Sequence, residues 1–144
     1  MQTFLPYAGF RASAATLDQK RLGKQRVEVL QIMKVISGAG TGWLNHPATQ
    51  MWSPFPCILM KYQVAVCEEW MSRGYRDTCL EKTRALHREQ CTSDSKLPPW
   101  LGNAAFHRSH RSNLLRKAPE HYGQFFDEPD DLPYIWPAGL RKDS

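Results

Sequence analysis

Apolar residues recur at helical spacing along most of this chain, and no run alternates in the manner of a half-buried strand. Between Leu17 and Ile36, the residues Leu22, Val29, Leu30, Met33 and Ile36 form one stripe and predict a helix. Ser37-Gly38, with Gly40 and Gly42 behind it, predicts where that helix ends, because glycine accepts a left-handed cap and weakens a helix interior. Asn45-His46-Pro47 reads as a start signal, with proline preset for the first turn of a short helix through Trp52. Pro54 and Pro56 break the chain. From Cys57 to Met71, Ile58, Leu59, Tyr62, Val66 and Trp70 fall on neighbouring turns, which predicts a long, largely buried helix stopped by Gly74. Asp77 is a cap for a further helix to about Arg88, with Glu81, Lys82 and Arg84 in solvent. Gln90 to Pro99 reads as a polar loop, Asn103 to Lys117 as a basic helix, and Pro119 opens a short last turn. Beyond Phe126, DEPDDLPYIWP is too rich in proline for a helix and is expected to lie extended over the body through Tyr134, Ile135 and Trp136. The expected fold is all-α: one compact helical bundle over residues 1–126, with an acidic, proline-rich tail over 127–144 packed on it.

Composition narrows the class. At 144 residues the chain has the length of one domain, and 42% hydrophobic with 23% charged residues excludes general disorder. No run approaches the ~18 uninterrupted apolar residues of a membrane span. The start, MQTFLPYAGF, lacks the basic-then-apolar pattern of a signal peptide, so a cytoplasmic protein without a membrane partner is expected. Cys57, Cys67, Cys79 and Cys91 form no CxxC pair, which argues against a zinc ribbon or thioredoxin-type motif and for small buried side chains, though a catalytic thiol stays open. Charge is more telling. The first 126 residues hold 17 basic against 9 acidic side chains, a net +8, and five acids follow in the tail. A basic body suits a polyanion, and nucleic acid is the commonest one, although such a charge also serves solubility alone.

Four places could carry chemistry. On the helix LDQKRLGKQRVEVLQIM, Arg21, Lys24 or Gln25, and Glu28 lie three or four apart and so share a face, flanked by Lys20 and Arg26. Among cations Glu28 is expected to be ionised, a stabiliser for a cationic sugar transition state, while its neighbours hold phosphates. An ordinary solvated face with a Lys24–Glu28 ion pair fits the same residues. In NAAFHRSHRSNLLRK, Arg108, Arg111, Arg116 and Lys117 come without an intervening acid, as a phosphate-tracking helix would have them. His107 and His110 have an HxxH spacing but no third ligand at a familiar interval, so no metal is expected. Trp43, Asn45 and His46 sit in a glycine-flanked loop that could stack on and hydrogen-bond an extruded base; equally, Trp43 packs under the loop and His46 caps the helix. Lastly, the α-amine of Met1, with an ordinary pKa of ~7.7–8.0, is partly unprotonated at neutral pH and can attack a sugar C1′.

Together the blocks MQTFLPY with LDQKRLGKQRVEVLQIM, NHPATQMW with the helix ending in SRGY, and PPWLG with HRSHRSNLLRKAPEHY resemble the pyrimidine-dimer DNA glycosylase family of the phage endonuclease V type. The likeness is greatest to a short bacterial and phage branch beginning MQTFLPY. The resemblance implies an all-helical fold that flips a nucleotide and cleaves its glycosidic bond, with an N-terminal amine forming an imine at C1′ and β-elimination nicking the strand. It places the family's essential glutamate at Glu28 and its backbone-gripping cations near Arg21, Lys24 and Arg26. Two positions depart from the pattern. Gln2 is too large for the usual removal of Met1, so the amine belongs to Met1, and Val27 stands where an arginine is expected. The expected function is therefore a DNA glycosylase, with or without lyase activity, excising a damaged or modified pyrimidine from double-stranded DNA. It would act as a monomer without a cofactor. Met1, Glu28 and His46 are the catalytic candidates, and Arg21, Lys24, Gln25, Arg26, Trp43, Asn45, Arg108, Arg111 and Lys117 the DNA-binding ones. Alternatives are a non-catalytic helical nucleic-acid binder and a hydrolase of modified nucleosides or nucleotides.

Overall fold

Helix α2, Gln19–Ile36, is the axis of the molecule because its apolar stripe is wide enough to be covered from two sides. Leu22, Val29, Ile32 and Met33 on this stripe are fully buried, and α4 (Pro56–Ser72) and α5 (Cys79–Gln90) pack against it. The computed structural model describes residues 2–40, 42, 44–90 and 96–137. Among these, α1 (Phe10–Thr16), α3 (Pro47–Trp52), α6 (Ala104–Lys117) and α7 (Pro119–Tyr122) complete an all-helical body with no strand. Met1, Trp43, half of the polar loop (91–95, with Cys91) and the tail after 137 lie outside the described residues.

Helix ends follow the local chemistry. Ser37 and Gly38 close α2; Gly38 takes φ +83°, open to glycine at little cost, and lets the amides of Ala39 and Gly40 return to the Lys34 carbonyl. His46 accepts the Ala48 amide through Nδ1 and starts α3, while Asn103 accepts the Phe106 amide and starts α6. Asp77 receives the Cys79 and Leu80 amides ahead of α5. Helix α1 has no counterpart in the apolar pattern, since FRASAAT is short and its buried residues are small: Ser13, Ala14 and Thr16 face inward. At the centre, Trp52 stacks on Tyr62 at 5.7 Å and meets Trp100 edge-on at 4.9 Å.

Both flanks of the chain are tied to this body. Residues Thr3, Phe4 and Leu5 are buried, and their backbone groups are answered by side chains of α2, α4 and α6. After Phe126 the chain runs along α6: Ser112 donates to the Pro129 carbonyl, Asn113 and Arg116 donate to the Leu132 carbonyl, and the Ile135 amide donates to Ser109.

Candidate active site

The exposed side of α2 forms one wall of a cavity of about 440 Å³, lined by Gln2, Phe4, Lys20, Arg21, Lys24, Gln25, Glu28, Lys117 and Tyr134. Helical periodicity brings positions 21, 24, 25 and 28 to one wall, the buried N-terminal segment supplies Gln2 and Phe4, and Lys117 and Tyr134 close the far side. Four cations thus surround one carboxylate.

Glu28 is half-buried. Its Oε2 accepts the Gln25 carboxamide at 3.1 Å and lies 3.4 Å from the Gln2 amide nitrogen. Cations on this face favour the ionised group, and burial works against them. Burial pushes the Glu28 pKa up, and the Gln2 amide, the Lys24 charge and the Gln25 hydrogen bond only offset part of that rise. A carboxyl group shifted this way is better placed to exchange a proton near neutral pH than an exposed one.

The N-terminal segment is held from every side. Gln25, 1% exposed, accepts the Phe4 amide at 2.6 Å and donates to the Gln2 carbonyl at 2.9 Å. Trp52 donates to the Thr3 hydroxyl, Tyr62 to the Phe4 carbonyl and Arg111 to the Pro6 carbonyl. His110 Nδ1 accepts the Leu5 amide, so its proton sits on Nε2. His107 Nε2 accepts the Gly102 amide and its Nδ1 donates to the Leu5 carbonyl, the opposite tautomer. Burial drives the His110 pKa down to about 3 and lowers that of His107, which keeps both rings neutral. These histidines anchor the segment; among the described residues no group of three ligating side chains gathers.

Of the other residues singled out in the sequence, Arg21, Lys24, Gln25 and Lys117 reach the cavity. Arg21 is steadied there by Asp18, whose carboxylate also takes the Tyr122 hydroxyl. Arg26 turns away, pairing with Asp77 at 2.5 Å and lying 4.5 Å over the Trp70 ring. Arg111 is paired with Glu128. Asn45 and Arg108 are exposed, and His46 caps α3 with the Trp136 ring against its edge at 6.1 Å; none of these three lines the cavity. Phe4, Gln2, Lys20 and Tyr134 are wall residues that the sequence does not mark as site residues. Only Lys20, flanking the helical face, carried a signal. Burial raises the Tyr134 phenol to about 12, so it presents a neutral aromatic face.

A helical body thus carries a cavity lined by four cations with a desolvated carboxylate in its wall. A family model described as pyrimidine dimer DNA glycosylase matches residues 1–83, more than half the chain, and the protein belongs to that family. DNA glycosylase is accordingly its general function, and DNA its substrate. No curated protein and no solved structure matches the chain. The matched residues carry Glu28 and its helical neighbours, whereas Lys117 and Tyr134 lie beyond them. No described helix is long and apolar enough to cross a membrane.

Proposed function

We propose that this protein excises a damaged or modified pyrimidine from double-stranded DNA after the nucleotide leaves the stack, and that Glu28 serves the reacting sugar. The carrying observation is the desolvated Glu28 carboxylate in a cavity ringed by Lys20, Arg21, Lys24 and Lys117. Phosphates flanking the lesion meet the cations, and weakened stacking at damage lowers the cost of extrusion. Arg108, exposed on α6, and Asn45 and His46 at the start of α3 are assigned to the DNA backbone and to the displaced base or sugar. Arg26 and Arg111 are engaged by Asp77 and Glu128 and are left out of that footprint.

The nucleophile is assigned to the α-amine of Met1. Gln2 lines the cavity with its amide beside Glu28, and the amine belongs to the residue that precedes it in the sequence. Attack of the amine lone pair on C1′ breaks the C1′–N bond, and the base departs with the bonding pair and takes up a proton. The aminated sugar opens to an imine while Glu28 stabilises the positive charge. Loss of a C2′ proton then expels the 3′ phosphate, which is the lyase step.

Glu28→Gln is the test, on duplexes carrying a panel of damaged pyrimidines with base release and nicking read separately. Base release is expected to fall by about 10²–10⁴-fold with duplex affinity unchanged. Release at the parent rate overturns the role of Glu28, and a chain that binds every duplex but releases no base is a non-catalytic binder. Borohydride added during turnover is expected to trap a covalent adduct that maps to the first peptide; cleavage without an adduct replaces the amine with water.

A further inference from the structure

Gln25 stands apart from the cations around it. Its side chain is almost wholly buried, so it cannot read DNA, and its carboxamide is committed to the protein. The oxygen accepts the Phe4 amide at 2.6 Å, and the nitrogen divides its two protons between the Gln2 carbonyl at 2.9 Å and Glu28 Oε2 at 3.1 Å. The Tyr62 hydroxyl proton is shared between the Phe4 carbonyl at 2.6 Å and the Gln25 oxygen at 2.9 Å. Turning the amide over would set its NH₂ against the Phe4 N–H, so this orientation is fixed by the partners.

The pattern has a chemical logic. The carbonyl of residue 2 and the amide of residue 4 lie on one edge of the N-terminal segment, and a primary carboxamide answers both as a peptide group on a neighbouring strand would. The remaining N–H of the same group is spent on Glu28. No other natural side chain of this length offers two donors and an acceptor in one plane; glutamate lacks the donors, and methionine or leucine lacks everything but bulk.

We propose that Gln25 is the positioning residue of this site, holding the start of the chain and the Glu28 carboxylate in one fixed relation through a single carboxamide. This rests on the reading of Glu28 given above. A carboxylate and a backbone segment tied to the same planar group cannot drift apart, and preorganisation of that kind is what a reaction between tethered groups requires. The titratable and charged groups that share the space with Glu28 are Lys20, Arg21 and Lys24 of α2, Lys117 of α6, Tyr62 of α4, Tyr134 of the tail and the α-amine assigned above as nucleophile, and substitution at Gln25 removes none of them.

The test uses the full chain with Gln25→Glu, Gln25→Leu and Tyr62→Phe. Tyr62→Phe also removes a hydrogen bond to Phe4 but leaves the Gln25–Glu28 contact, so it reports what loosening the segment alone does. Both Gln25 variants are expected to bind lesion duplex within threefold of the parent and to release base at least thirtyfold more slowly under single-turnover conditions. In Gln25→Glu the acid limb of the pH–rate profile moves up by one unit or more, because a second carboxyl group faces Glu28. Tyr62→Phe lowers the melting temperature and leaves that limb in place. Should Gln25→Glu keep both the parent rate and the parent limb while Glu28→Gln is inactive, the positioning role is overturned and the reading of Glu28 stands. If Glu28→Gln itself is fully active, that earlier reading fails first. If Gln25→Leu and Tyr62→Phe slow the reaction equally and neither variant moves the limb, Gln25 is merely structural. If Gln25→Glu fails to fold, the rate ratio of Gln25→Leu to Tyr62→Phe decides alone, with equality overturning the proposal.

Discussion

His110 shows how a single side chain can make the molecule sensitive to acid. Its neutral Nδ1 is the acceptor for the Leu5 amide, and burial lowers its pKa to about 3. In the unfolded chain the same imidazole titrates near ~6.5. Between those values the unfolded chain takes up a proton that the folded one refuses. This stabilisation is therefore complete above about pH 6.5 and is lost on acidification at up to about 1.4 kcal/mol per pH unit for one proton. Thermal melts from pH 7 to pH 4 should show that decline. His110→Asn, which keeps an acceptor near Nδ1 but cannot titrate, should flatten it by about one proton; an unchanged slope would count against His110 as the source. In the sequence these histidines show only an HxxH spacing, which places them on one helical face without saying what covers them. The cover is residues 2–6, a hundred positions away in the chain, and no local pattern encodes that contact.

Helices were more readable than residues. The stripe from Leu17 to Ile36, the Pro47 start, the Gly74 stop and the Asp77 cap mark α2 to α5 within a few residues, since each depends on neighbours in sequence. Helix α1 escaped notice because it is short and its buried residues are small, and the turn of Arg26 away from the cavity escaped because charge patterning cannot tell a phosphate ligand from the partner of Asp77. The packing of α2 on α4 turns on Gly23. A Cβ there would stand 2.9 Å from Trp70 Cη2, and that indole is held by Tyr75 stacked at 4.3 Å, by the Arg26 guanidinium and by its own bond to the Arg76 carbonyl. Gly23→Ala should therefore lose about 1–3 kcal/mol in denaturant melts, although alanine is the better helix former by about 1 kcal/mol. Adding Trp70→Phe, which removes the clashing atoms, should make the alanine neutral or favourable relative to that background. A stable Gly23→Ala chain would show that the indole can yield.

At the scale of the whole molecule, the count of charges anticipates a polyanionic partner, but not the way distant segments assemble its cavity. Lys117 and Tyr134 stand some ninety and more positions beyond Glu28 and line the same cavity, with the chain after Phe126 held along α6. Binding to a lesion duplex should weaken linearly on a logarithmic salt scale, and Lys24→Ala or Lys117→Ala should each lower the slope by about 1. Arg26→Ala and Arg111→Ala, whose partners are Asp77 and Glu128, should cost stability and leave the slope alone. A slope that responds to Arg26 but not to Lys24 would move the DNA to another face.

Because Gln2 already stands in the cavity wall, a segment fused ahead of the chain would be tethered beside that opening. A purification tag at the amino end would therefore act as a plug and yield a well-folded but inert preparation, whereas the same tag on the opposite terminus should leave turnover intact.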